Sequence, residues 1–452
     1  MQKKYDVIVI GAGSGLHISS YAAEKGMSVA IVEQSAFGGT CLNRGCIPSK
    51  MLIHSADIAE QIKKANLFGI NAKITSIEWK KIVNRVSEFV DKDAWEIEKA
   101  NRQTKNITVY KTQARFIGEK ILEVGKETIT ADKIFICAGS RPSIPPIPGL
   151  QDIDYITSNE ALRLKKQPKH LVIIGGGYIG AELAHFFGSL GTKITIIDRG
   201  NLLMKNEDGE IAQRFTEVYK RKFNVVLNAN TVRVYKKAKN IAVELDINGK
   251  RKTIAGDTLL IATGRIPNTD ILNVKAAGVE VTERGFVKVN EYLETTVPGI
   301  WAIGDIAGIY MFKHSANLEA DYAVNNAFGK KIPVDYSAMP HAAFSSPQVA
   351  AVGKTEDELK AEKIPYLKGI CDFKKTGYGK AIEDNDGFVK VLVHPQTKEI
   401  LGCHIIGTHA SILIHEVIVA MKSKLGAAGI KDAVHIHPAL SEVVQRAFEH
   451  LQ

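Results

Sequence analysis

At 452 residues, 45% hydrophobic and 24% charged, the chain is too long for one hydrophobic core and reads as a soluble protein of two or three domains. No window approaches the ~20 apolar residues of a membrane-spanning helix, and five cysteines are too few for a disulfide scaffold. Lys+Arg of 59 against Asp+Glu of 49 gives a net charge of +10, but the lysines are scattered in short runs such as Lys63-Lys64 and Lys374-Lys375, a solvated surface that predicts neither nucleic acid nor membrane as partner.

The first predicted strand, Tyr5 to Ile10, starts so near Met1 that no signal or transit peptide is expected, which points to the cytoplasm. Its continuous apolar run suits a buried parallel strand. It feeds Gly11-Ala12-Gly13-Ser14-Gly15, then a helical pattern, then a second strand, Ser28 to Val32, ending at Glu33. An acid about 20 residues past the first glycine completes a dinucleotide-binding fingerprint. The glycines allow a tight turn, the helix N-terminus suits a pyrophosphate, and the acid accepts from ribose hydroxyls. Leu16 occupies the third glycine position, beside Gly15, which leaves the close packing of this helix on its strand open to question.

Next comes GGTCLNRGCIPSK, Gly38 to Lys50, with Cys41 and Cys46 separated by four residues. A single helical turn can bring such sulfurs together, because a disulfide needs Cα atoms within roughly 7 Å. Two buried cysteines or half of a metal site are the alternatives, although no second ligand pair follows and no metal is expected. Met51 to Asn101 reads as a helical hairpin on the first domain. Strands follow near Ile107 to Tyr110 and Ile134 to Ile136, and the proline-dense run Pro142 to Gly149 reads as a crossover.

The opening design then returns as HLVIIGGGYIG. Gly175, Gly177 and Gly180 are all in place, a helix follows, and the strand Lys193 to Ile197 ends at Asp198. One such copy is a weak signal; two with correctly spaced acids are strong. A turn at Ala262-Thr263-Gly264-Arg265 marks the return crossover, and Trp301 to Asp305 reads as an apolar strand ending in Gly-Asp. From about Tyr336 the pattern becomes α+β, with strands near Phe388 to Val393 and Gly402 to Ile406 and helices near Leu413 to Lys424 and Leu440 to Leu451. His435-Ile436-His437-Pro438 precedes Glu442, a histidine and a carboxylate at a spacing that lets the acid orient the imidazole.

Across essentially its whole length the chain resembles the FAD-dependent pyridine nucleotide–disulfide oxidoreductases, the family of dihydrolipoyl dehydrogenase, glutathione reductase and mercuric reductase. The resemblance rests on the Cys41–Cys46 stretch, the two glycine turns, the Gly304-Asp305 strand end and the His437-Pro438…Glu442 segment. It implies an α/β fold with two Rossmann-like dinucleotide-binding domains, for FAD and NAD, plus a C-terminal α+β dimerisation domain. The implied boundaries are 1–148 and 266–335 for FAD, 149–265 for NAD(P) and 336–452 for the interface of a homodimer.

By the same resemblance, Cys41 is the interchange thiol that meets substrate and Cys46 the thiol that meets the flavin. His437 is the acid–base, acting in the partner subunit's active site, and Glu442 orients it. Lys50 pairs with Glu182 beside the flavin, Asp305 binds its ribityl chain, and Tyr178 stands where some relatives carry a ring that covers the flavin until nicotinamide arrives. Gly11, Gly13, Ser14, Gly15, Glu33, Gly39, Thr40, Ala114 and Gly139 are the further FAD contacts expected. Gly175, Gly177, Ile179, Asp198 and Gly264 are those for NAD, with NADP as the second candidate because Arg199 follows Asp198. Cys137, Cys371 and Cys403 are read as packing residues.

The reaction expected first is dihydrolipoamide oxidation by NAD through FAD and the disulfide, with lipoyl domains as partners. The alternative is an NAD(P)H-dependent reductase of a low-molecular-weight thiol disulfide, of the mycothione or glutathione type. KHSANLEA (Lys313 to Ala320), YGKAIED near Tyr378 and IHPALSEVV resemble mycothione reductase. Mercuric reductase is disfavoured, because no cysteine pair precedes Tyr5 and FEHLQ carries no cysteine.

Overall fold

The computed structural model describes residues 2–452. The chain forms two compact units, one of 1–51, 80–143 and 264–335, the other of 52–79, 144–263 and 336–452.

In the first unit, the strand Gln2–Ile10 lies between Val29–Val32 and Glu127–Ile136, parallel to both. Ile107–Tyr110 extends this sheet beyond Val29–Val32, and Ile300–Ala302 pairs with the end of Glu127–Ile136. The start of that long strand instead turns into an antiparallel meander with Ile121–Val124 and Ala114–Gly118. The parallel strands are apolar throughout because helices cover them, and Val7, Ile8, Val9, Ala30 and Ile31 are fully buried. Ser140–Pro142 and Arg265–Pro267 pair antiparallel, so the outgoing and returning crossovers are stapled together.

In the second unit, four parallel strands run in the order Asn224–Val226, Lys193–Ile197, His170–Ile174, Thr258–Ile261. A three-stranded antiparallel meander, 229–256, accompanies them. The C-terminal part is a five-stranded antiparallel sheet. Its strands Phe388–Val393 and Ile400–Gly407 lie where the alternation predicts them, and the helices Ala410–Lys422 and Glu442–Glu449 pack on it.

The helical pattern predicted over Met51 to Asn101 forms two helices, Cys46–Lys64 and Trp79–Gln103. Residues 52–79, however, belong with the second unit. Asp57 meets His185 at 2.7 Å, Glu60 accepts from Ser189 and Lys222 at 3.0 Å each, and Trp79 Nε1 donates to Leu164 O at 2.7 Å.

Within the second unit, a buried charge cluster ties the nucleotide-type strands to the C-terminal sheet. Lys390 Nζ donates to Asp208 at 2.8 and 3.0 Å and to Glu356 at 2.6 Å, and it meets Glu210 at 2.5 Å. Asp208 also caps the helix Gly209–Lys222.

Candidate active site

The first glycine turn is shaped by contacts that only glycine tolerates. Gly11 has φ +106°, and a Cβ there would stand 2.3 Å from Cys137 O. Leu16 does no harm at the third position because Gly15 takes over the close packing: a Cβ on it would meet Val9 at 2.7 Å and Cys137 at 3.0 Å. Glu33 braces the same turn, accepting from Ala12 N at 2.9 Å and from Ser35 N at 2.7 Å. Oε1 also accepts from Ser35 Oγ at 3.1 Å, so Oε2 is the oxygen that keeps a second lone pair for a ribose hydroxyl.

The cysteine stretch docks directly on this turn. Gly38 N donates to Ala12 O at 2.8 Å, and a Cβ on Gly39 would lie 2.8 Å from Gly13 Cα. Thr40 and Cys41 lie in the helix Gly39–Arg44, and Cys46 opens the helix Cys46–Lys64. The two cysteines therefore flank a break at Gly45 instead of sharing one helical turn; a Cβ on Gly45 would stand 2.9 Å from Thr40 O. Both are free thiols and half-buried. The Cys41 thiol is pushed up by its hydrogen bond to Cys46, by burial and by charge on Cys46, while the Lys313 ammonium pulls it down.

Around the pair, Ser14 and Asp305, both expected at the flavin, are joined by Lys313, Asn317, Ser140, Arg265 and Glu319, to which the sequence reading gave no role. Lys313 Nζ donates to Ser14 Oγ at 2.8 Å, and Ser14 Oγ donates to Asn317 Oδ1 at 3.0 Å. Asp305 accepts from Ser140 Oγ at 2.5 Å, and Arg265 donates to Ser140 Oγ and O at 2.7 Å each. Glu319, fully buried, accepts from Gly304 N at 2.5 Å. Only the chain crossovers bring these residues together, so spacing could not have found them. Ala114 begins its strand at 3% exposure, and Gly139 sits at φ +64° with nothing within 4 Å of a Cβ. Lys50 follows Cys46 by one turn, half-buried.

The second glycine turn repeats the first. Gly175 has φ +113°, with a Cβ 2.3 Å from Ala262 O, and a Cβ on Gly180 would stand 2.1 Å from Gly175 O. Asp198 accepts from Gly176 N and from Gly200 N at 2.7 Å each, bracing the turn as Glu33 does. Gly177 has ordinary backbone angles and nothing within 4 Å of a Cβ, so neither strain nor packing explains its glycine. The helix Tyr178–Ser189 starts here, with Tyr178 and Ile179 in its first turn. Tyr178 donates a very short hydrogen bond to Glu207, whose other oxygen meets His341 Nε2 at 3.1 Å. Glu182, on the same helix at 8% exposure, accepts from Phe344 N at 2.9 Å. Gly264, at φ +113°, likewise has open space where a Cβ would be.

His437 Nδ1 lies 2.9 Å from Glu442 Oε1, and Glu442 Oε2 accepts from Ala439 N at 3.2 Å. That bond to His437, against burial and with help from Ala439 N and Arg446, holds Glu442 below the usual carboxylate range. The imidazole is 74% exposed, and of the residues just before it Ile436 is 79% exposed and Val434 fully exposed. His435 pairs with Glu416 at 2.9 Å, which leaves it a packing role.

Two glycine turns braced by acids, with a dithiol pressed against the first, are the parts of a flavin- and nicotinamide-linked thiol enzyme. The family model "Pyridine nucleotide-disulphide oxidoreductase" matches residues 5–320, and the dimerisation domain of that family matches 339–448. The chain belongs to this family. Its cofactors are FAD and NAD(P)H.

Among relatives, the mycothione reductase of Mycobacterium tuberculosis strain H37Rv is 40% identical, covering 98% of each chain. The dihydrolipoyl dehydrogenase of Cupriavidus necator is 35% identical over 99% of this chain and 98% of that one. Among solved structures, the HOCl-induced flavoprotein disulfide reductase RclA from Escherichia coli superposes with a TM-score of 0.88 at 30% identity, covering 98% of this chain and 99% of that one. Among the described residues, no helix is long and apolar enough to cross a membrane.

Proposed function

We propose that this family member is a homodimeric NAD(P)H-dependent reductase of a low-molecular-weight thiol disulfide, working in a reducing cytoplasm. The observation that carries the substrate class is the 40% identity over 98% of both chains with mycothione reductases, against 35% or less for the dihydrolipoyl dehydrogenases. This reverses the order expected from the sequence alone. Dihydrolipoamide oxidation, with lipoyl domains as partners, is the second reading, favoured by the 33–35% identity of those relatives over nearly the whole chain.

In this reading the dithiol form of Cys41 and Cys46 does the chemistry. Cys41 as thiolate attacks one sulfur of the substrate disulfide; a mixed disulfide forms and one thiolate leaves, taking a proton from His437 of the second copy. Cys46 then attacks Cys41 Sγ, the second thiol departs, and the Cys41–Cys46 disulfide remains. Bound FAD supplies the two-electron link that returns this disulfide to the dithiol at the expense of NAD(P)H. Lys313 and Lys50 supply positive charge that favours thiolate over thiol. Glu442 fixes the His437 tautomer with Nδ1 protonated, leaving Nε2 to exchange the proton. Asp305, held by Ser140 and Arg265, is assigned to the flavin's ribityl hydroxyls.

The test is steady-state kinetics on one preparation, comparing NADPH- and NADH-linked reduction of mycothiol and glutathione disulfides with NAD-linked dihydrolipoamide oxidation. Higher kcat/KM for a small disulfide is expected. Higher kcat/KM for dihydrolipoamide would restore the second reading.

A further inference from the structure

Glu207 is an acid that the reaction just described does not use, and its burial asks for a reason. Its side chain is 1% exposed. A buried carboxylate is costly unless it is well bonded, yet this one neither caps a helix nor meets a lysine or arginine. Those tasks fall to its neighbour, Asp208. The two oxygens of Glu207 go instead to the Tyr178 phenol and to His341 Nε2.

The backbone aims it there. Met204 N donates to Gly176 O and Glu207 N donates to Met204 O, each at 2.9 Å, so the segment carrying Glu207 is hung from the second glycine turn itself. On the far side, Asp208 is pinned by Lys390 and by Glu356 N. His341, on the strand Pro340–Ala343, completes the carboxylate's shell, its ring 6.2 Å from that of Tyr178. Tyr178 is thereby tied at both ends, its backbone in the first turn of the helix and its hydroxyl at a carboxylate. Burial, then the Glu207 charge, raise the phenol's pKa well above its usual range, so it stays a donor. Its ring cannot change rotamer without breaking a charge-assisted hydrogen bond.

We propose that Glu207, seated by His341, is a positioning residue for the nicotinamide nucleotide: it fixes Tyr178 at the glycine turn before the nucleotide arrives. This rests on the second turn being the NAD(P)H site. A side chain already ordered need not be frozen on binding, which is worth about three- to tenfold in affinity for one tyrosine.

The test is calorimetric titration of the FAD-loaded enzyme with NAD+ and NADP+, without turnover, for the wild type, Glu207→Gln, Tyr178→Phe and the double variant. Either single variant should weaken Kd by about three- to tenfold, and the double variant should be no weaker than the worse single one, because both remove one bond. In turnover, Glu207→Gln should lower kcat/KM for the reduced nucleotide severalfold more than kcat/KM for the disulfide. An unchanged Kd, additive losses, or equal falls in both kcat/KM values would overturn the inference. A wild type that binds neither nucleotide would overturn the site assignment, and the inference with it.

Discussion

His437 Nδ1 and Glu442 Oε1 stand 2.9 Å apart, with the imidazole 74% exposed and the carboxylate 9% exposed. An acid–base pair so exposed on its own chain needs a second surface to work against. Val434 and Ile436 precede it as exposed apolar residues, and Ile412 and Val419 are 65% and 59% exposed on the helix Ala410–Lys422. Apolar exposure of this kind suits burial in a twofold dimer.

Replacing His437 by Gln should therefore cut turnover by about 10²–10⁴-fold while leaving FAD bound. Glu442→Gln should cost less, because it loosens the imidazole without removing it. Charge at Ile436 (Ile436→Asp) should lower the dimer fraction in sedimentation and activity in parallel. Full activity in a monomeric Ile436→Asp protein would contradict the arrangement.

The Lys390 cluster makes a prediction about stability. Burial alone would raise Glu356, but hydrogen bonds from Lys390, Tyr366 and Lys360 outweigh it and hold the acid well below the usual carboxylate range. Burial would lower Lys390, but Asp208, Glu210 and Glu356 hold it above the usual lysine range. A depressed carboxylate stabilises above its unfolded pKa and loses that contribution as pH falls through the folded one. A raised lysine stabilises below its unfolded pKa and loses it as pH rises through the folded one. The cluster thus supports the fold between roughly pH 5 and 10. Lys390→Met, which strands buried acids, should cost about 3–5 kcal/mol in denaturant unfolding at neutral pH, with a smaller deficit at pH 3. A loss that does not change with pH would contradict this account.

The nucleotide preference should follow Asp198. A carboxylate at the end of the ribose strand accepts from both hydroxyls of NAD and repels the extra phosphate of NADP. Arg199 is exposed beside it and can take that phosphate. NADH is expected over NADPH, with Asp198→Asn narrowing the ratio of kcat/KM values and Arg199→Ala leaving it nearly unchanged. A preference for NADPH that vanishes in Arg199→Ala would show that the arginine governs the choice.

Both nucleotide turns were legible in the sequence because their requirements are local. Gly11 and Gly175 sit where the chain passes within van der Waals reach of a neighbouring carbonyl at positive φ, and only glycine satisfies that. The His437–Glu442 pair was legible for the same reason, five residues being a local distance. The helix break at Gly45 was not, since a lone glycine inside a helical pattern does not show that the chain leaves helical geometry there. Nor was the placement of residues 52–79, which depends on partners such as His185 and Leu164 far along the chain. The Tyr178–Glu207–His341 chain and the Ser140–Asp305–Arg265 group likewise exist only after the crossovers close. Spacing reveals a turn, but not what folds onto it.

In turnover, Cys41 and Cys46 should cycle between disulfide and dithiol at the expense of NAD(P)H. Mass spectrometry of the FAD-loaded protein after anaerobic alkylation, with and without one equivalent of NAD(P)H, tests it most directly. Label should appear on Cys41 and Cys46 only after the nucleotide is added, while buried Cys371 and Cys403 stay as they were, and Cys46→Ser should abolish the nucleotide-dependent change. Labelling of Cys41 and Cys46 that is the same with and without NAD(P)H would contradict it.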